Sequence, residues 1–146
     1  MPSPPVPEIR WRVHLASSPE AVYELLATDE GRAQFWAESA VERDGAIEFE
    51  FVDGTRWRGR VLAAEPPRRY VVEYFGGSWA SFEVEPDGDG GTDLTLVETS
   101  VPEKWAAENR AGWVNVLLEL KAAADFGVDL RNHDTRRTWS QGYCDN

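Results

Sequence analysis

From Ile9 to Leu15 apolar and polar residues alternate strictly. Ile9, Trp11, Val13 and Leu15 share one side, and Arg10, Arg12 and His14 the other. A period of two over this length predicts a half-buried strand. Ser17-Ser18-Pro19-Glu20 then reads as a helix start. Ser17 is the expected cap, Pro19 tolerates the first turn, and Glu20 can complete a capping box. This helix should run to about Ala27 and bury Val22, Leu25 and Leu26. Thr28-Asp29-Glu30 opens a second short helix that ends near Trp36.

The middle of the chain has the period of strands. Ile47, Phe49 and Phe51 alternate with Glu48 and Glu50, and Trp57, Gly59, Val61 and Ala63 alternate with Arg56, Arg58 and Arg60. A two-residue turn at Asp53-Gly54 would pair Phe51 with Arg56 and mix apolar with charged side chains on one face. A three-residue loop from Asp53 to Thr55 pairs Phe51 with Trp57, Phe49 with Gly59 and Glu50 with Arg58, which separates the faces. Further strands are expected over Tyr70–Phe75, Ser78–Glu85 and Thr92–Thr99, with turns at Gly76-Gly77 and Pro86–Gly91. The count is six strands in an antiparallel meander, with the first returning to the sheet after the two helices.

The longest helical pattern comes last, from Arg110 to Phe126. Trp113, Val116, Leu117, Leu120 and Ala124 recur at spacings of three and four, while Glu119, Lys121 and Asp125 should face away. Gly127 is placed to cap the end, and Ser100-Val101-Pro102-Glu103 resembles an earlier helix start. The class is therefore α+β, in the order strand, two helices, five strands, helix. Residues 1–7, with four prolines, form a disordered arm, residues 8–126 one domain, and residues 127–146 a polar tail. Leu130, Trp139 and Tyr143 are the expected anchors of that tail on the body.

Composition narrows the partners. The net charge of −11 opposes nucleic acid and anionic lipid surfaces. No apolar run approaches the roughly 20 residues of a membrane span. The N-terminal residues lack a basic and an apolar signal region, and the one cysteine, Cys144, forms no internal disulfide, so a cytoplasmic setting is expected. No phosphate-cradling glycine loop or nucleophile elbow is present. His133, Asp134 and Cys144 lack metal-ligand spacing, so neither metal nor cofactor is expected.

The stretch Val13-His14-Leu15-Ala16-Ser17-Ser18-Pro19-Glu20-Ala21-Val22-Tyr23 carries a family likeness. So do Trp36, Gly91-Thr92-Asp93-Leu94-Thr95-Leu96, and Gly112-Trp113 with Leu117 and Leu120. Over residues 8–126 the chain resembles the helix-grip superfamily, which includes START-type lipid-transfer domains, the birch-pollen allergen fold and polyketide cyclases. Within it, the chain is similar to the branch named for homologues of the activator of the ninety-kilodalton heat-shock protein ATPase. The resemblance implies a curved antiparallel sheet wrapped around the last helix, with a cavity between them. It leaves function open, because fold does not fix function.

Parity places Trp11, Phe49, Phe51, Trp57, Tyr70, Tyr74, Phe82, Leu94, Leu96, Trp113, Leu117 and Leu120 toward the space between sheet and helix. Of these, Phe49, Phe51, Trp57, Tyr74, Phe82, Leu96, Trp113 and Leu117, together with Trp36 at one end, are the candidate ligand contacts. Seven tryptophans supply bulky rings that leave gaps in a curved sheet, although the same rings can also pack a dry core. Glu98 shares the parity of Leu94 and Leu96. A carboxylate there is placed to bind a polar ligand head or to act as an acid–base group, unless it lies wet at the mouth or pairs with an arginine. Three readings follow. The preferred one is a non-catalytic module for a small hydrophobic or aromatic molecule. The others are a cyclase- or dehydratase-type enzyme using Glu98, and a chaperone-associated interaction domain with a protein partner.

Overall fold

The computed structural model describes residues 8–146, so the expected proline-rich arm at residues 1–7 lies outside the described residues. One antiparallel sheet of seven strands has the order β1-β7-β6-β5-β4-β3-β2. The strands are β1 (Ile9–Leu15), β2 (Ser39–Arg43), β3 (Ala46–Glu50), β4 (Arg56–Glu65), β5 (Arg69–Tyr74), β6 (Ser78–Pro86) and β7 (Thr92–Thr99). Two helices, α1 (Pro19–Ala27) and α2 (Asp29–Arg32), follow β1, and α3 (Ala106–Phe126) follows β7. β1 returns to the sheet beside β7, pairing Trp11 with Leu96 and Val13 with Leu94. The architecture is the expected α+β sheet around a C-terminal helix.

The strand count is seven rather than six, and the added strand is β2. Its sequence, Ser-Ala-Val-Glu-Arg, has only two apolar residues, too few to show alternation at a sheet edge. Asp44-Gly45 joins it to β3 as a two-residue turn, with φ of 54° and 78°. Two successive positive φ values match the right-handed twist of the flanking strands.

The β3–β4 register also differs from expectation. Phe49 faces Trp57, Ile47 faces Gly59 and Glu50 faces Arg56. The loop is Val52-Asp53-Gly54, closed by the Phe51 N–H donating to the Thr55 carbonyl at 2.9 Å. Starting the loop one residue earlier shifts every pair by two, so the separation of apolar and charged faces survives. At Gly59 a Cβ would stand 2.1 Å from the Glu73 carbonyl oxygen, so only glycine lets β4 pass from β3 to β5 at this point.

The helix ends follow local chemistry. Ser18, not Ser17, caps α1 by accepting from the Ala21 N–H at 3.2 Å. Ser17 instead donates to the Ala124 carbonyl at 2.8 Å, and its N–H donates to Asp125 at 3.0 Å. Thr28 caps α2, which is four residues long and gives way to turns before Trp36. α3 starts at Ala106, four residues before the expected Arg110, and a 3-10 turn, Glu103–Trp105, precedes it without a side-chain cap. Gly127 ends α3 with φ 64°.

Trp113, Leu117 and Leu120 are the stripe of α3 buried against the sheet. A cluster of rings fills the interior, with Trp36 lying 5.0 Å from Phe49, 5.4 Å from Phe82 and 6.0 Å from Trp113 between centroids. Such offset and edge arrangements favour ring pairs beyond simple burial. No helix of the described residues is long and apolar enough to cross a membrane.

Residues 127–146 run back over α3, and their anchors differ from those expected. Leu130 and Tyr143 are exposed. The main tie is Arg131, 8% exposed, whose guanidinium donates to the carbonyls of Ala37 (2.8 Å) and Ala33 (2.7 Å). Those carbonyls follow α2, where the short helix leaves acceptors free. Trp139 donates to Glu108 at 2.8 Å, and Asn115 donates to the Cys144 carbonyl. The expected outward face of α3 is thus corrected at two points: Glu119 is buried, and, away from the tail, Asp125 accepts from the Ala16 and Ser17 N–H groups after β1.

Candidate functional site

A cavity of about 380 Å³ opens between the N-terminal half of α3, two sheet turns and the tail. Its aromatic lining comprises Trp36, Phe51, Tyr74, Phe75, Trp105, Trp113 and Trp139. Asp53 and Thr55 come from the β3–β4 turn, while Ser140 and Asn146 come from the tail. Glu108, Asn109, Gly112, Asn115, Val116 and Glu119 come from α3. A helix repeats its faces every three to four residues. Trp105, Asn109, Gly112, Val116 and Glu119 therefore form a stripe beside the core stripe Trp113–Leu117–Leu120.

Two glycines shape the space. A Cβ on Gly112 would meet nothing within 4 Å, so its lack of a side chain leaves room rather than relieving a clash. Gly76, with φ 73°, lets the Trp105 ring close in; a Cβ there would stand 2.6 Å from that ring.

The ten expected contacts divide. Trp36, Phe51, Tyr74 and Trp113 line the cavity. Phe49, Phe82, Leu96 and Leu117 are buried in the packed interior beneath it. Trp57 is half-buried outside the lining, its ring centroid 5.1 Å from that of Phe75. Glu98 stands behind Trp113. Phe75, Trp105, Gly112, Val116, Glu119 and Trp139 were not among the candidates. The α3 members share helical spacing, and that signal was present in the sequence. What covers their face is set by the tail, whose path has no periodicity to read.

Glu98 is neither wet nor paired with an arginine. It is 0% exposed and accepts from Trp113 Nε1 at 2.7 Å, from Ser78 Oγ at 2.5 Å and from Asn109 Nδ2 at 3.3 Å. It thereby ties α3 to β6 and β7 and orients two residues of the cavity wall. Trp36 Nε1 donates to the Tyr74 hydroxyl at 3.2 Å, and burial pushes that phenol's pKa up.

Glu119 contrasts with Glu98. It is 7% exposed, lines the cavity, and its carboxyl makes no hydrogen bond to the described residues, keeping its contact with solvent through the opening. Burial pushes its pKa up to about 8; Arg131 and His133 oppose the shift, while Asp129 and Asp145 add to it. Among the described residues no group of three or more His, Cys, Asp or Glu is placed to hold a metal.

The family model described as Activator of Hsp90 ATPase homolog 1-like protein matches residues 16–125. The chain belongs to this family. The Aha1 dimer from Colwellia psychrerythraea is a similar solved structure, with 24% identity, a TM-score of 0.75, and coverage of 84% of this chain and 98% of that one. SSP2350 from Staphylococcus saprophyticus shares 21% identity with a TM-score of 0.75, over 86% of this chain and 96% of that one. CV1439 from Chromobacterium violaceum shares 26% identity with a TM-score of 0.66, over 82% and 99%. No curated protein matches the chain. Membership establishes the helix-grip frame around the cavity; the Aha1-like neighbours carry the same sheet and helix.

Proposed function

We propose that this family member binds a small, largely apolar, aromatic-stacking molecule in the cavity between α3, the sheet turns and the tail. The observation that carries this reading is the aromatic lining around the space that Gly112 leaves empty. The volume of about 380 Å³ suits one small organic molecule, since ligand pockets span about 300–1,000 Å³ and combine apolar walls with a few polar groups. Trp36, Phe51, Tyr74 and Trp113 form the inner wall, and Trp105 and Trp139 the outer one. Phe49, Phe82, Leu96, Leu117 and Glu98 hold that wall in place from behind, and Trp57 supports Phe75 at the rim. A reducing, cytoplasmic setting suits the exposed single thiol of Cys144.

Binding is favoured over a cyclase or dehydratase reaction because the neighbours of Glu98 are protein donors that already use its oxygens. A half-open, ring-walled cavity of this size also suits a small molecule better than the broad surface that a chaperone-type partner requires. The test is a tryptophan-fluorescence and thermal-shift titration with sterol, fatty-acid and aromatic ligands, repeated on Gly112→Leu. Ligand-induced changes in the wild type that vanish in the filled variant are expected. Equal responses from both proteins, or none from the wild type across the panel, would refute the reading.

A further inference from the structure

We infer that the cavity selects a protonated amine carried on an aromatic or otherwise apolar body, with the nitrogen set against Glu119. This rests on the reading of the cavity as a ligand site and names the ligand's polar end. The charged residues of the lining are Asp53, Glu108 and Glu119; no Lys, Arg or His lines the cavity among the described residues. Its four tryptophans add attraction for a cation that meets a ring face, because an aromatic ring presents a negative face.

Glu119 gives the cation a defined seat. The nearby basic groups are engaged elsewhere. Arg131 donates to Asp129, Ala33 and Ala37, and both ring nitrogens of His133 face carboxylates, Glu38 at 2.5 Å and Asp129 at 2.7 Å. The Glu119 carboxyl faces the cavity with no protein donor on it, so an incoming ammonium supplies a partner that the protein does not. A neutral apolar guest leaves Glu119 unmatched, and an anionic guest meets Asp53 and Glu108, with the ionised Glu119 added only as pH rises toward about 8. The order of affinity for one apolar body is therefore amine, then alcohol, then carboxylate.

The same contact makes binding proton-linked. The charged groups near Glu119 are Arg131, His133, Asp129 and Asp145, all from the tail; Asp53 of the β3–β4 turn and Glu108 of α3 are the other charged residues of the lining. An ammonium favours the ionised carboxylate, so amine affinity should rise with pH toward about 8, where Glu119 ionises by itself. A primary alkylamine, like lysine, stays protonated over that range.

Titration calorimetry with 5-phenylpentylamine, 5-phenylpentan-1-ol and 5-phenylpentanoate tests the inference. The amine is expected to bind the wild type about ten-fold or more tighter than the alcohol, the scale of one desolvated charge contact. Glu119→Gln should bring the two within about two-fold while leaving the alcohol's affinity unchanged. It should also flatten the pH dependence of amine binding between pH about 6 and about 9, although His133 titrates in both proteins. Alcohol or carboxylate binding as tightly as the amine would overturn the cation preference and leave the cavity reading standing. Silence from all three ligands would overturn both. An amine preference that persists in Glu119→Gln would remove Glu119 as its origin. The wild-type series stands even if that variant fails to fold.

Discussion

The seam between α3 and the sheet is built in two ways, and its two buried carboxylates show the difference. In the closed part, Glu98 sits among donors from β6 and α3, with packed rings beside it. Under the tail, Glu119 is nearly as hidden but has no donor among the described residues, and open volume lies in front of it. Burial alone therefore does not distinguish a structural acid from a receptive one. Saturation of the oxygens does, because a satisfied carboxylate has nothing further to gain from a guest.

The sharpest way to break the comparison is to remove each acid. Glu98→Ala should destabilise the fold by about 3–5 kcal/mol in urea denaturation, because it strands the Trp113 and Ser78 donors and empties part of the core. A loss below about 1 kcal/mol would mean that the network contributes little. Leu117→Ala, in the same packed region, should cost about 2–5 kcal/mol, whereas Trp105→Ala on the half-open wall should cost clearly less.

Glu119→Leu should change stability in the opposite direction, gaining about 1–3 kcal/mol at pH about 9. The sign follows from linkage. The folded pKa of Glu119, about 8, lies above the ordinary 4.5, so the folded chain holds a proton that the unfolded chain releases. Wild-type stability should therefore fall as pH rises from about 4.5 to about 8, and that decline should be smaller in Glu119→Gln when both are followed by chemical denaturation. Identical pH profiles would show that Glu119 ionises normally. The smallest effect is expected from Gly112→Leu. It should raise stability by roughly 1 kcal/mol through helix propensity while filling the cavity, so a thermal melt should show a modest gain together with lost ligand response.

Legibility in the sequence follows the same division. Alternation located β1, β3, β4 and β6, turn residues bounded β5 and β7, and the 3.6-residue period located the core face of α3, because such periods record burial against a regular neighbour. β2 was hidden by having only Ala40 and Val41 as apolar residues, although Asp44-Gly45 marks its turn. The β3–β4 offset escaped because parity separates odd shifts from even ones but not two even shifts from each other. Inward parity placed Glu98 correctly, yet its partners come from residues 20 positions upstream and 11 or more downstream. Periodicity relative to the sheet puts Glu119 on the outer side of α3. The tail that covers it is irregular, and its attachment through Arg131 to two carbonyls beyond α2 leaves no periodic trace.

That attachment has a consequence for diversification. Trp139, Ser140 and Asn146 form a lip held by the Arg131 guanidinium and a few side-chain ties such as Trp139 to Glu108, separate from the hydrogen-bonded ladder of the sheet. Rewriting those few letters would retune what is admitted while the sheet and its central helix stay as they are.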